Sequence, residues 1–260
     1  MSFYDLLFEV SNEDRTRILL ELKSEPISYS GLSRKLSITT QEVSRHLSRL
    51  NERGLTYRRP DGLPDLTPMG ELVLRQLKSL EFTSYYSDYF REHTLTSIPD
   101  QFVSRLGELR VSTLVDNVML AVHNVEKVLR EADSYLLNIN MPYIASAFPF
   151  IREAYDRGVK GRFLHGKDLM LPSEMKDDRE RVLDTQLIDS FRRKGIHNEK
   201  LLKTDVVMYM SEKEVAILSF PLRDGIYDFR GFSSIDKRFL DWCRDIFEYC
   251  WARGISPNIG

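Results

Sequence analysis

The residues best suited by type and spacing to do chemistry are Gln41, Ser44 and Arg45, with Thr40 just before them and Arg49 one turn further on. Gln can pair with adenine N6/N7, Arg with guanine O6/N7, and Ser with either. On one exposed helix face, this set would read base edges in a major groove. Ser30 and Arg34 upstream, and Arg58 and Arg59 downstream, bring groups of the kind that hold phosphates. Any single arginine here also suits a plain solvated helix. The whole constellation points to double-stranded DNA.

A second set is His165-Gly166-Lys167, with Arg162 two strand positions before the histidine's neighbour. Phosphodiester hydrolysis through a histidine nucleophile needs H-x-K-x4-D. The aspartate position falls on Pro172, Asp168 misses the spacing, and no second copy occurs. Arg162, His165 and Lys167 are therefore expected to form at most a noncatalytic anion or ligand site. No Gly-rich phosphate loop, G-x-S-x-G or H-E-x-x-H occurs, so no catalytic residue, metal or cofactor is expected. Asp224, Asp228 and Asp236 miss the calcium-loop spacing and suit turns and caps. Cys243 and Cys250, two helical turns apart, suit core packing, with thiol redox sensing as the alternative.

The elements that must position the first set are legible around it. Thr39 and Glu42 form a capping box that opens a helix running to Arg53 and stopping at Gly54. Val43, His46, Leu47 and Leu50 take its inner face, so His46 is assigned a structural role. A helix opened by Ser11 and Asp14 precedes it, followed by a short one over Tyr29–Leu36. Leu-Thr-Tyr after Gly54 is extended, Arg58 to Gly62 is a turn, and Thr67-Pro68 starts a helix through Leu80. This order is that of a winged helix-turn-helix.

Phe82, Tyr85, Tyr86, Tyr89 and Phe90 recur at helical spacing over 81–97, which predicts a linker helix with an aromatic stripe. The stripe is expected at an interdomain or dimer contact. From Ile98 onward, helical patterns alternate with short β-rich runs. Helices are expected over Ser112–Glu131, Pro142–Arg157, Pro172–Lys194 and Ser234–Arg253. Strands are expected over Ser134–Ile139 and Val159–Leu164, with a hairpin at Val206–Met210 and Val215–Phe220. The whole is an α+β protein: winged helix at 1–80, aromatic linker at 81–97, and an α/β sandwich at 98–260.

The 260 residues carry 37 Lys+Arg against 39 Asp+Glu, a net charge of −2. This balance conceals a contrast. Residues 29–59 hold Arg34, Lys35, Arg45, Arg49, Arg53, Arg58 and Arg59 against Glu42 and Glu52, a net +5, so the remainder carries −7. No run of about 18 apolar residues is present, and the N-terminus lacks a signal-peptide pattern. A cytoplasmic protein without a membrane partner is expected.

The segment ITTQEVSRHLSRLNERGLTYR resembles the turn, recognition helix and wing of bacterial and archaeal ArsR-like winged-helix regulators, through Ser44, His46, Leu47, Leu50, Gly54 and Leu55. The C-terminal block DGIYDFRGFSSIDKRFLDWCRDIFEYCWARG resembles archaeal regulators of the methanogenesis regulatory protein (FilR-type) family. Supporting pieces are IPDQFVSRLGEL and RGVKGRFLHG. The resemblance implies a transcriptional regulator with a C-terminal sensor domain, for which it suggests a phospholipase-D-like, noncatalytic fold. A homodimer with a small-molecule effector is the expectation. The rival readings are a degenerate phospholipase-D-like phosphodiesterase and a protein-interaction module without a DNA target.

Overall fold

The computed structural model describes residues 1–166 and 173–257, apart from the Glu174 side chain. The chain divides into two compact units, Met1–Leu80 and Glu81–Gly260.

The first unit begins with α1 (Phe3–Val10), capped reciprocally by Ser2 and Asp5, and α2 (Glu13–Ser24). The expected Ser11 cap is not formed: Asn12 caps α2 through Arg15 N, and Ser11 ends α1 instead. The sequence Ser11-Asn12 offers two good capping side chains, and the turn between two helices decides which one is used. Next come α3 (Tyr29–Leu36) and α4 (Thr40–Glu52), the latter opened by the Thr39–Glu42 capping box. Strands β1 (Thr56–Arg58) and β2 (Pro64–Leu66) pair antiparallel as the wing. Ile18, Leu19, Leu32, Val43 and Leu50 are fully buried at the centre of this unit. Residues three and four apart on each helix supply that centre, as an amphipathic stripe requires.

Helix α5 (Pro68–Tyr85) starts at Thr67, whose hydroxyl accepts from Gly70 N, and runs past the expected end at Leu80. It is followed by α6 (Ser87–Glu92). The aromatic residues thus do not share one linker helix: the break at Tyr86 divides them between α5 and α6. Phe82 and Tyr89 are buried in the second unit, where Phe82, Tyr86, Tyr89 and Phe90 all ring Phe232. Only Tyr85 stands out, 80% exposed. Edge-on aromatic contacts and the large area buried explain why the stripe closes on its own chain.

After the short α7 (Asp100–Val103) the second unit continues with β3 (Thr113–Val115), α8 (Val118–Glu131), β4 (Tyr135–Ile139), α9 (Phe148–Asp156) and β5 (Lys160–His165). Then follow α10 (Ser173–Val182), α11 (Thr185–Arg193), β6 (His197–Leu201), β7 (Val207–Ser211), β8 (Val215–Ser219), β9 (Gly231–Ser234) and α12 (Lys237–Trp251). Among the described residues these strands form a seven-stranded sheet in the order β3-β9-β8-β7-β4-β5-β6. The pairs β4–β5 and β5–β6 are parallel and the others antiparallel. Alternate residues face opposite sides. Met208 and Met210 join the core with Trp242 and Phe247 of α12, while Val207 and Tyr209 join the core with Val125 and Leu129 of α8. The result is a three-layer α/β sandwich, and the whole chain is α+β.

Several expected boundaries shift. Thr113–Val115 is a strand rather than the start of α8, because Asn117 caps that helix. The expected helix through Lys194 is interrupted at Leu183–Asp184, where Asp184 caps α11; Pro172 lies outside the described residues. Strands β6 and β9 were not expected: β6 reads HNEKL and β9 reads GFSS, polar or short runs that pairing alone makes extended. Asp236 caps α12 through Arg238 N. Cys243 is fully buried and Cys250 nearly so; burial pushes the Cys243 thiol well up, which suits packing rather than reaction.

Candidate nucleic-acid interface

The residues expected to read a groove stand on the outer face of α4. Thr40, Gln41, Ser44 and Arg45 are exposed, while Val43, His46, Leu47 and Leu50 are buried beneath them. The side chains of Gln41, Ser44 and Arg45 have no hydrogen bond or ion pair among the described residues. They cluster in the first two turns, where the helix also offers free amides. His46 is kept structural: burial pushes its pKa down, and Arg45 pushes it further in the same direction.

The surrounding arginines differ from one another in a way that their spacing does not reveal. Arg34 and Arg58 make only backbone contacts, to Ser30 O and Gly62 O. Arg59 is held by Asp61 at 3.1 Å and Asp65 at 3.8 Å. Lys35 pairs with Glu21 and Glu25. Arg49 is turned onto Glu9, its Nε donating at 2.8 Å and 3.0 Å, and Arg53 reaches the same carboxylate at 3.5 Å. The patch of net +5 is thus largely neutralised by carboxylates from outside residues 29–59. Within residues 29–59, the cations without a carboxylate partner among the described residues are Arg34, Arg45 and Arg58.

Glu9 is the member that the sequence pattern passes over. It is fully buried, and Arg15 meets it at 3.0 Å while also donating to the carbonyls of Phe8 and Glu9. Burial alone would raise the Glu9 pKa, but the hydrogen bond from Arg49 and the charges of Arg15 and Arg53 hold it below the usual carboxylate range. The ring of Phe8 lies under both Arg15 and Arg49. One carboxylate therefore ties α1 and α2 to α4. The only signal in the sequence is an acid set in the otherwise apolar run LLFEV.

The start of α5 is tied to the segment between α4 and β1. Thr67 Oγ1 donates to Gly54 O at 2.6 Å and Thr67 N to Leu55 O at 3.1 Å.

In the second unit, Arg162 and His165 of the expected ligand set do not come together. Arg162 is taken up by Glu248, with Nη2 donating at 2.9 Å, and lies over Phe247 and Trp251. His165 ends β5 and lines a cavity on the opposite side of the sheet; Lys167 lies outside the described residues. The acidic trio is dispersed into local roles: Asp224 accepts from Ile226 N, and Asp228 from Arg230 N with His93 alongside. No cluster of acidic, histidine or cysteine side chains suited to a metal is present among the described residues. No helix among the described residues is long and apolar enough to cross a membrane.

Residues 4–85 match the family described as the HVO_A0261 N-terminal domain. A comparison with curated proteins returns no match. Among solved structures, the chain is similar to TrmBL2, an archaeal chromatin protein, at 15% identity over 98% of this chain and 100% of that one, with a TM-score of 0.44. It is also similar to NucT from Helicobacter pylori at 9% identity over 56% of this chain and 98% of that one, with a TM-score of 0.41. The phospholipase D family member Nuc from Salmonella typhimurium aligns at 8% identity over 51% of this chain and 88% of that one, with a TM-score of 0.35.

Proposed function

We propose that this chain is a DNA-binding transcriptional regulator of the archaeal winged-helix kind, akin to the FilR-type proteins, acting in the cytoplasm without enzymatic activity. The observation that carries this reading is the exposed, unpaired trio Gln41, Ser44 and Arg45 at the N-terminal end of α4, flanked by Arg34 and Arg58. Those three side chains have no structural duty that their exposure and lack of partners would serve. Base-edge recognition gives each of them a partner. A homodimer reading two half-sites fits the same geometry. Its support is the row Met69, Leu72 and Leu80 on α5, exposed at helical spacing. The second unit acts as the effector domain, and an effector preferring one dimer arrangement would shift operator affinity by changing populations.

Fluorescence anisotropy on a duplex from upstream of the chain's own gene tests the reading, against an unrelated duplex, between about 50 and 200 mM salt. Three unpaired cations per copy predict a slope of log affinity against log salt of about −3 per copy. Absence of salt-dependent binding would remove the reading. Light scattering that gives a monomer at micromolar concentration would remove the dimer.

A further inference from the structure

The register of the sheet lines up four residues that are distant in sequence. Tyr209 pairs with Asn138, Asn138 with Phe163, and Phe163 with Glu199, so one row crosses β7, β4, β5 and β6. This row floors a cavity of about 100 Å³, roofed by side chains such as Ile144, Phe148, Ile151 and Ile188 from α9, α11 and the loop before α9. The enclosed space is about two-thirds of the roughly 150 Å³ apolar void that takes up benzene, and it opens outward beside the exposed Tyr143, so it suits a ring whose polar end reaches the rim.

Its polar groups are few and placed at different points. Tyr209 Oη is buried without a hydrogen-bond partner among the described residues, an arrangement that costs free energy unless something fills it. Glu199 faces the cavity, but its charge is spent. Arg192 Nη2 lies at 2.6 Å and His197 Nε2 at 2.8 Å, and together they outweigh burial to bring its pKa down to about 2. His197 is in turn held by Tyr155 Oη at 2.7 Å from Nδ1. Gly161 makes that contact possible, since a Cβ there would sit 2.6 Å from the Tyr155 hydroxyl. Arg179 lines the cavity half-buried, and no carboxylate pairs with it among the described residues. Tyr143 stands nearby; burial and Glu199 push its pKa up, against a smaller pull downward from Arg179. The cavity thus combines one unpaired cation, a neighbouring hydroxyl, apolar walls and one buried hydroxyl in want of a partner.

We propose that this cavity binds a small aromatic carboxylate carrying a second hydrogen-bonding group, its carboxylate on Arg179 and Tyr143, its ring between Ile188 and Phe163, and its far polar atom on Tyr209. The proposal deepens the regulator reading by giving the effector domain a ligand class, and rests on that reading only for its consequence at DNA.

Isothermal titration of the full chain with 4-hydroxybenzoate, benzoate and 4-hydroxybenzamide tests it. Saturable binding of 4-hydroxybenzoate is expected, with the amide weaker by tenfold or more, as loss of a charge-assisted contact implies. Arg179→Gln should erase the preference for carboxylate over amide. Tyr209→Phe should erase the preference for 4-hydroxybenzoate over benzoate, and Ile188→Trp, by filling the space, should abolish binding. Circular dichroism checks that each variant is folded. Amide and carboxylate binding equally well, an unchanged Arg179→Gln, or no heat from any probe up to about 10 mM would overturn the proposal. The anisotropy measurement without any probe separates the two ideas. DNA binding with no probe binding sinks only the cavity assignment, and probe binding without DNA binding sinks only the regulator.

Discussion

Replacing Glu9 by Gln probes the joint between α1, α2 and α4 most directly. The change keeps shape but removes the buried charge, and puts an amide N–H₂ among arginine donors. Arg15 is the partner that suffers, because its side chain is only 7% exposed and cannot rehydrate. It keeps its bonds to the Phe8 and Glu9 carbonyls, which limits the loss. Removing one partner of a buried pair costs roughly 3–5 kcal/mol, and with those retained bonds the expected cost is about 2–3 kcal/mol. For a cooperative unit of this size that lowers the melting temperature by on the order of 10 °C. Arg49 and Arg53 are about four-tenths exposed and turn to water instead. The same substitution therefore frees two cations next to the exposed face of α4, and the salt slope of DNA binding should steepen by about two units. Differential scanning calorimetry and anisotropy titrations on one preparation measure both effects. An unchanged melting temperature would refute the claim that Glu9 anchors α1 and α2 to α4. A slope that stays constant or flattens would refute the claim that it withholds Arg49 and Arg53 from phosphate.

Other substitutions follow from the same geometry. Arg45→Ala should relax base preference at one operator position by about 1–3 kcal/mol, read by competition between single-base operator variants. Arg58→Ala should weaken all duplexes alike and flatten the salt slope by about one unit, while Arg59→Ala should change it less, because Asp61 and Asp65 already hold that side chain. Gly70→Ala should destabilise the first unit by about 1–3 kcal/mol in urea unfolding, since a Cβ there would lie 2.2 Å from the Leu55 carbonyl oxygen. Stability of the same unit should fall on acidification. His46 has a folded pKa below the ordinary 6.5, so its contribution is whole above that value and is lost as pH falls through the folded one. Glu9 adds a second loss below the ordinary glutamate range, for the same reason. Unfolding midpoints that stay flat from pH 7 to pH 5 would contradict the His46 assignment, and midpoints that do not fall further below about pH 4.5 would contradict the Glu9 one.

Local signals carried a large part of the fold. The Thr39–Glu42 box, the Thr67-Pro68 start and the apolar spacing of α4 depend on residues within one or two turns, and each appears as spacing led one to expect. The hairpin of β7 and β8 and the long α12 were legible for the same reason. Boundaries failed where two local signals competed, as at Ser11-Asn12, or where a strand owes its existence to neighbours distant in sequence, as with β6 and β9.

The sequence by itself determined which residues face outward on α4, because a period of 3.6 separates Gln41, Ser44 and Arg45 from the buried Val43, Leu47 and Leu50. It did not determine which arginines are free. Charge counted along the chain treats Arg45 and Arg49 alike, yet only tertiary contact brings Glu9 onto Arg49, from 40 residues away, and Glu248 onto Arg162, from 86 away. The cavity floor is likewise a product of strand register, which aligns Tyr209, Asn138, Phe163 and Glu199 across four strands. An ion pair or a sheet register is a property of two separated segments at once, and so it exists only when the chain has closed upon itself.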